Sequence, residues 1–165
     1  MNRLILLLAL LFALFNADAQ SYDSAVGARL GSPLSVSYKR FVSENNAIEV
    51  YAGGRFQPFV NWFIISGGYQ LHKPLLEEEI AGLRWYYGFG GTVSFLTFDQ
   101  FFIGDSGTST LIGVQGYLGL DYAFEDIPLN LSIDWVPTVF INGFASGFGA
   151  GFGALSARYI LNQQN

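Results

Sequence analysis

One histidine, no cysteine and one run of three adjacent glutamates are the material from which this chain would have to build catalysis or metal binding. His72 alone supplies neither a Ser/His/Asp triad nor a His-rich ligand set. Its place beside Lys73-Pro74 predicts a turn residue. Glu77-Glu78-Glu79 has the charge to hold a divalent cation or a basic partner, and equally the composition of a solvated turn. Asp23-Ser24-Ala25 resembles a short bacterial O-glycosylation signal, and Asn130-Leu131-Ser132 fits a sequon that falls inside a strand-like stretch. No catalytic residue, metal site or cofactor is expected.

The informative charges are the ones that alternate with apolar residues. From Leu129 to Ile141, Leu129, Leu131, Ile133, Trp135, Pro137, Val139 and Ile141 share one face, and Asn130, Ser132, Asp134, Val136, Thr138 and Phe140 share the other. Carried along the chain, the same phase predicts strands over 23–31, 34–41, 47–56, 60–71, 82–96, 109–124, 129–142 and 149–162. Arg29, Lys39, Glu49, Arg55, Arg84, Asp121, Asp134 and Arg158 all fall on the less apolar face. The opposite face carries no charge at mid-strand, and Arg40 sits at a strand end. A charged Lys or Arg on a lipid face at the midplane costs about 2–4 kcal/mol, whereas a soluble binding barrel of lipocalin type is apolar inside and polar outside. The pattern therefore predicts an all-β, eight-stranded antiparallel transmembrane up-and-down β-barrel with its charges in the lumen. There they are expected to pair.

Eight strands put both termini on one side, expected to be the periplasm. Tyr38, Tyr69, Trp85, Tyr122 and Tyr159 are outward in phase and close to that end, as an interfacial aromatic girdle requires. The opposite end carries the loop from Thr97 to Thr108, whose Phe98, Phe101 and Phe102 suit a partner surface, a fold over the mouth or a dip into the outer leaflet. Gly149, Gly151 and Gly153 make a second candidate partner surface if the alternation of strand eight runs straight. The preferred reading is a bulge near Ala154 that turns Phe148 and Phe152 outward. Pro137, inside a strand, also calls for a local bulge.

Composition and the N-terminus agree with export. Hydrophobic residues make up 51% of the chain and charged residues 13%, about half the usual charged share. Yet no segment after Phe15 is long and apolar enough for a spanning helix. Arg3, the apolar run Leu4–Phe15 and Ala17-Asp18-Ala19 read as a cleaved signal peptide over 1–19, with a single domain over 20–165. A net charge of −5 with scattered basic residues gives no track for nucleic acid.

Trp85-Tyr-Tyr-Gly-Phe-Gly90, Gly119-Leu-Asp-Tyr-Ala-Phe124, Ile127–Trp135 and the terminal Arg158-Tyr159 look like segments of a widespread family of bacterial "outer membrane protein beta-barrel" domains. The architecture resembles the small eight-stranded barrels of the OmpA/OmpX type. The resemblance implies fold and an outer-membrane location, and little about activity. Asn162-Gln-Gln-Asn165 after Tyr159 departs from the usual aromatic last residue of such barrels.

The expected function is a non-enzymatic outer-membrane barrel with a plugged lumen, structural, anchoring or accessory to a larger outer-membrane complex, in contact with outer-membrane lipid and lipopolysaccharide. A narrow ion or small-solute channel is the alternative. A lipid-modifying barrel enzyme and a soluble lipocalin-like barrel rank lower.

Overall fold

Long alternating segments whose two faces differ in polarity cannot be satisfied by an open sheet, because its edges would leave backbone N–H and C=O groups unpaired. Closure removes the edges. In a computed structural model, which describes residues 22–56, 60–76, 80–98, 108–142 and 147–163, eight antiparallel strands pair in sequence order and close on themselves. They are β1 (Tyr22–Gly31), β2 (Leu34–Ser43), β3 (Asn46–Phe56), β4 (Val60–Pro74), β5 (Leu83–Phe98), β6 (Thr108–Ala123), β7 (Leu129–Phe140) and β8 (Gly147–Gln163). The proposed signal segment, Glu77–Glu79, Phe101 and Phe102 lie outside the described residues.

Period two is visible strand by strand. Along β2, Ser35, Ser37, Lys39 and Phe41 are buried, and Leu34, Val36, Tyr38 and Arg40 are exposed. Along β7 the buried set is Asn130, Ser132, Asp134, Val136, Thr138 and Phe140, with Ile133, Trp135 and Val139 exposed between them. Large apolar side chains such as Val36, Ile65, Phe89, Ile133 and Leu155 thus point away from the barrel, while Lys39, Glu49, Gln70, Gln115 and Arg158 are enclosed within it.

The strands are unequal. β4, β5 and β6 run 15, 16 and 16 residues, against 10, 10 and 11 for β1 to β3. β4 reaches Pro74, three residues past its expected end, so His72 and Lys73 belong to the strand and not to a turn. The β4–β5 turn starts at Leu75, whose N–H bonds the Leu83 carbonyl at 3.0 Å.

Three strand pairs carry register shifts, β1–β8, β2–β3 and β7–β8, and two of them bear on the candidate sites. Between Val136 and Thr138 the β7–β8 pairing skips from Phe152 to Gly149, a bulge that puts the extra residue in β8, at Ala150-Gly151 opposite Pro137. No ladder donor is then needed from the proline. The bulge expected in strand eight near Ala154 is therefore present a few residues earlier: Phe148 comes opposite the outward Val139, whereas Ala154 remains inward, Gly153 and Leu155 outward, and Phe152, expected outward, turns inward to Trp62, with ring centroids 5.2 Å apart. Above the bulge Gly149 is opposite the lumen-facing Thr138, while Gly153 is opposite the outward Trp135. The glycines therefore form no continuous outward stripe. The second irregularity lies between Tyr22 and Ala25, where β1 shifts against β8. It buries Ser24, removing its hydroxyl from a glycosylating enzyme in the folded barrel.

Candidate functional site: a charged lumen

An eight-stranded barrel leaves an interior just wide enough for side chains to fill, so every inward residue competes for one column of space. At the end that carries both termini, Tyr22, Ala25, Phe41, Ala47, Ala123 and Ile160 pack into an apolar floor. Beyond the charged middle, Tyr51, Ile64, Tyr86, Tyr117 and Val136 cluster, with Trp62 and Phe152 against them. Glycines make room for the rings. A Cβ on Gly68 would lie 2.4 Å from Tyr117 Cε2, and one on Gly119 2.6 Å from Tyr86 Cζ.

Between the apolar layers lie three cations and three carboxylates. Arg29 forks Asp134 through two bonds of 2.9 Å, and its Nη1 also reaches Glu49 at 3.0 Å. Arg158 pairs with Glu49 through Nη2, while its remaining nitrogens donate to Ser37, Asn130 and Ser132. Lys39 donates to Asp121 at 2.9 Å and lies 4.5 Å from the Tyr86 ring centroid. Arg29 in turn lies 4.4 Å over Tyr51. The three positive and three negative groups make a core of zero net charge.

Buried ions are tolerable only when their remaining donors and acceptors are also satisfied. Neutral residues do this here. Gln70 donates to Glu49 at 2.7 Å, Tyr86 to Asp134 at 2.8 Å, and Asn130 to Asp121 at 3.0 Å. A second polar layer follows, where the Tyr51 and Tyr117 hydroxyls both donate to Gln115, and Gln115 donates to Thr138. Alternation alone places Gln70, Asn130 and Gln115 inward, but their role as partners depends on register across strands.

Six of the eight charges assigned to the lumen therefore meet: Arg29, Lys39, Glu49, Asp121, Asp134 and Arg158. Two do not. Arg55 is exposed at the far rim, 3.5 Å from the Ser32 hydroxyl. Arg84 is opposite Asp121 in the ladder, yet its guanidinium turns to the Glu44 carbonyl at the termini end, 3.2 Å away.

His72 is buried in the floor and not in a turn. Its ring lies 4.8 Å from Phe41 and 4.9 Å from Tyr86, stacked on the latter, and neither nitrogen meets a hydrogen-bond partner among the described residues. No group of three or more His, Cys, Asp or Glu able to hold a metal is present among the described residues.

Outside the barrel, Tyr38 and Tyr159 are exposed and flank Val26, their common ladder partner, in the β2–β1–β8 order. Tyr69, Trp85 and Tyr122 are partly exposed on the same outer surface, and Trp85 stacks on Tyr87 at 5.4 Å. Lys73 is exposed beside these rings, 5.9 Å from Trp85 and 5.8 Å from Tyr87. Phe98 ends β5, next to the loop whose other aromatic residues are not described.

No family model and no curated protein matches the chain. Solved structures do. The N-terminal β-barrel domain of Pseudomonas aeruginosa OprF aligns with a TM-score of 0.59 at 12% identity, covering 87% of this chain and 96% of that one. Ail, the attachment invasion locus protein of Yersinia pestis, aligns at 0.57 and 13%, covering 87% and 99%. Neisserial surface protein A aligns at 0.53 and 16%, covering 84% and 94%. The fold of this chain is that of the small eight-stranded outer-membrane β-barrels.

Proposed function

We propose that the chain is a non-enzymatic barrel of the bacterial outer membrane whose lumen is plugged, acting as an anchor or as an accessory subunit beside a larger outer-membrane complex. The observation that carries this reading is the set of six paired charges at mid-barrel, a four-residue ion network and the Lys39–Asp121 pair joined to it through Asn130, lying between an apolar floor and an aromatic layer. A conducting pore needs a continuous wet path, whereas the cavity beside Arg29, Tyr51, Ile64 and Phe152 has a volume of about 10 Å³, room for about one water molecule. The outward apolar surface supports a bilayer location. The aromatic residues Tyr38, Tyr69, Trp85, Tyr122 and Tyr159 are its interfacial belt on the periplasmic side, the side of both termini. Enclosure of the lone histidine between Phe41 and Tyr86 supports a non-enzymatic role, since a substrate has no approach to it.

Membrane fractionation with heat-modifiable gel migration tests the location, and planar-bilayer recording tests the plug. The expected result is an outer-membrane protein that shifts on boiling and shows no steady conductance. A steady open state would replace the plugged reading with a narrow channel. Purification from native membrane in mild detergent tests the accessory role, which predicts stoichiometric co-purification of a larger barrel complex.

A further inference from the structure

Among the described residues of the outer surface near the termini end, one basic residue has no ion pair and lies over no aromatic ring. Arg40, on β2, points outward among Tyr38, Ile48 and Val50, and no carboxylate of the described residues lies within ion-pair distance of it. Lys73, the other outward cation at this end, differs in lying over two aromatic rings. Exposed guanidinium on an apolar face is costly in hydrocarbon unless an anion meets it at the interface.

The β1 irregularity supplies the second half of the site. Tyr22 pairs with Gln163 and Ser24 with Asn162, so Asp23 is left out of the ladder, while Ser24 pairs with Arg40 on the other side. Asp23 consequently lines the same concavity as Arg40, together with Tyr38, Ser43, Ile48 and Val50. Its volume is about 610 Å³, within the range of small-molecule sites. The two charges share this groove without forming a salt bridge. A cation and an anion held apart over an apolar wall are complementary to a zwitterion with a lipid tail.

We propose that this groove binds a phospholipid whose headgroup carries a phosphate and a primary ammonium, of the phosphatidylethanolamine type. Arg40 takes the phosphate through a charge-assisted pair. Asp23 accepts from the ammonium, and an acyl chain lies along Ile48 and Val50. Arginine suits the first role because its fork matches phosphate oxygens. The aspartate supplies the selectivity, because a trimethylated ammonium has no N–H to donate and a glycerol headgroup has no positive charge.

The test uses the full barrel in phosphatidylcholine nanodiscs doped with either phosphatidylethanolamine or phosphatidylglycerol, with lipid retained on release into mild detergent read by native mass spectrometry. The expected result is selective retention of phosphatidylethanolamine by the unaltered protein. Asp23→Asn should abolish the preference over phosphatidylglycerol, Arg40→Gln should lower retention about tenfold, the factor for loss of one charge-assisted contact, and Arg40→Lys should restore part of it. Heat-modifiable migration confirms that each variant is folded, and the comparison of lipids on the unaltered protein needs no variant. Equal retention of all three lipids, or unchanged retention in both Asp23→Asn and Arg40→Gln, would overturn the proposal. The site rests on the reading of the outer face as lipid-facing. Failure of that reading would appear separately, in fractionation and in the loss of folding in nanodiscs.

Discussion

Arg29 and Asp134 stand 105 positions apart in sequence and grip each other across the lumen as a two-pronged pair, Nη1 to Oδ2 and Nη2 to Oδ1. Arg29 comes from β1 and Asp134 from β7, on either side of β8. Removing one member leaves the other charged and enclosed. Asp134→Asn is therefore expected to cost about 3 kcal/mol, the lower range for breaking a buried pair, since Arg29 keeps Glu49. The combined Arg29→Met, Asp134→Leu variant should lose less than the two single changes summed. Urea unfolding from lipid vesicles measures Asp134→Asn, the double variant and its two single changes. Strictly additive losses would show that the pair is not coupled.

Neighbouring glycines provide a sharper test of how tightly the lumen is filled. A Cβ on Gly90 would lie 2.1 Å from the Gly67 carbonyl oxygen and 2.7 Å from Gly68 Cα, whereas one on Gly91 would meet only the Gly113 oxygen, at 3.5 Å. The first contacts are backbone and cannot move aside. Gly90→Ala is expected to destabilise by about 1–3 kcal/mol, and Gly91→Ala by no more than about 0.5 kcal/mol. Equal unfolding midpoints for the two would contradict the close inward approach of β4 and β5.

His72 predicts an effect of opposite sign. Its ring fills a slot between Phe41 and Tyr86, and its nitrogens contribute no protein hydrogen bond among the described residues. His72→Phe keeps the planar shape and removes two buried polar atoms, so stability should hold or rise by about 1 kcal/mol. The same urea titration reads this. A loss of more than about 1 kcal/mol would mean that the imidazole is bonded to an enclosed water molecule.

The faces of β2 and β7 were legible in the sequence because a misassigned phase would put Lys39 or Asp134 into lipid, a large penalty for a one-residue slip. Pro137 also announced its bulge, since a closed ladder has no free edge for a residue without an N–H. The direction in which strand phase changes was not legible. The bulge falls in β8 at Ala150-Gly151, opposite Pro137 and a few residues from the place near Ala154 that the sequence favoured, and so leaves Phe152 inward instead of turning it out. His72 was obscured by Lys73-Pro74, a pair with turn composition that here closes a strand. Arg55 and Arg84 have the inward phase but lie near the rims, where solvent and a free carbonyl compete with the network. The neutral members, Gln70, Asn130 and Ser132, became visible as partners only when the register was known.

Glu49 has a consequence for the order in which the molecule assembles. Two of its three donors, Arg29 and Arg158, come from the first strand and the last. A sheet of β1 through β7 alone therefore holds an under-neutralised carboxylate, and Ser37, Asn130 and Ser132 lack the Arg158 donor that β8 brings. Docking of β8 completes hydrogen bonding along both its edges and neutralises the interior in the same step. Without β8 the sheet is penalised twice, by two unpaired edges and by an uncompensated interior charge, so the last strand is an electrostatic latch on the closed fold.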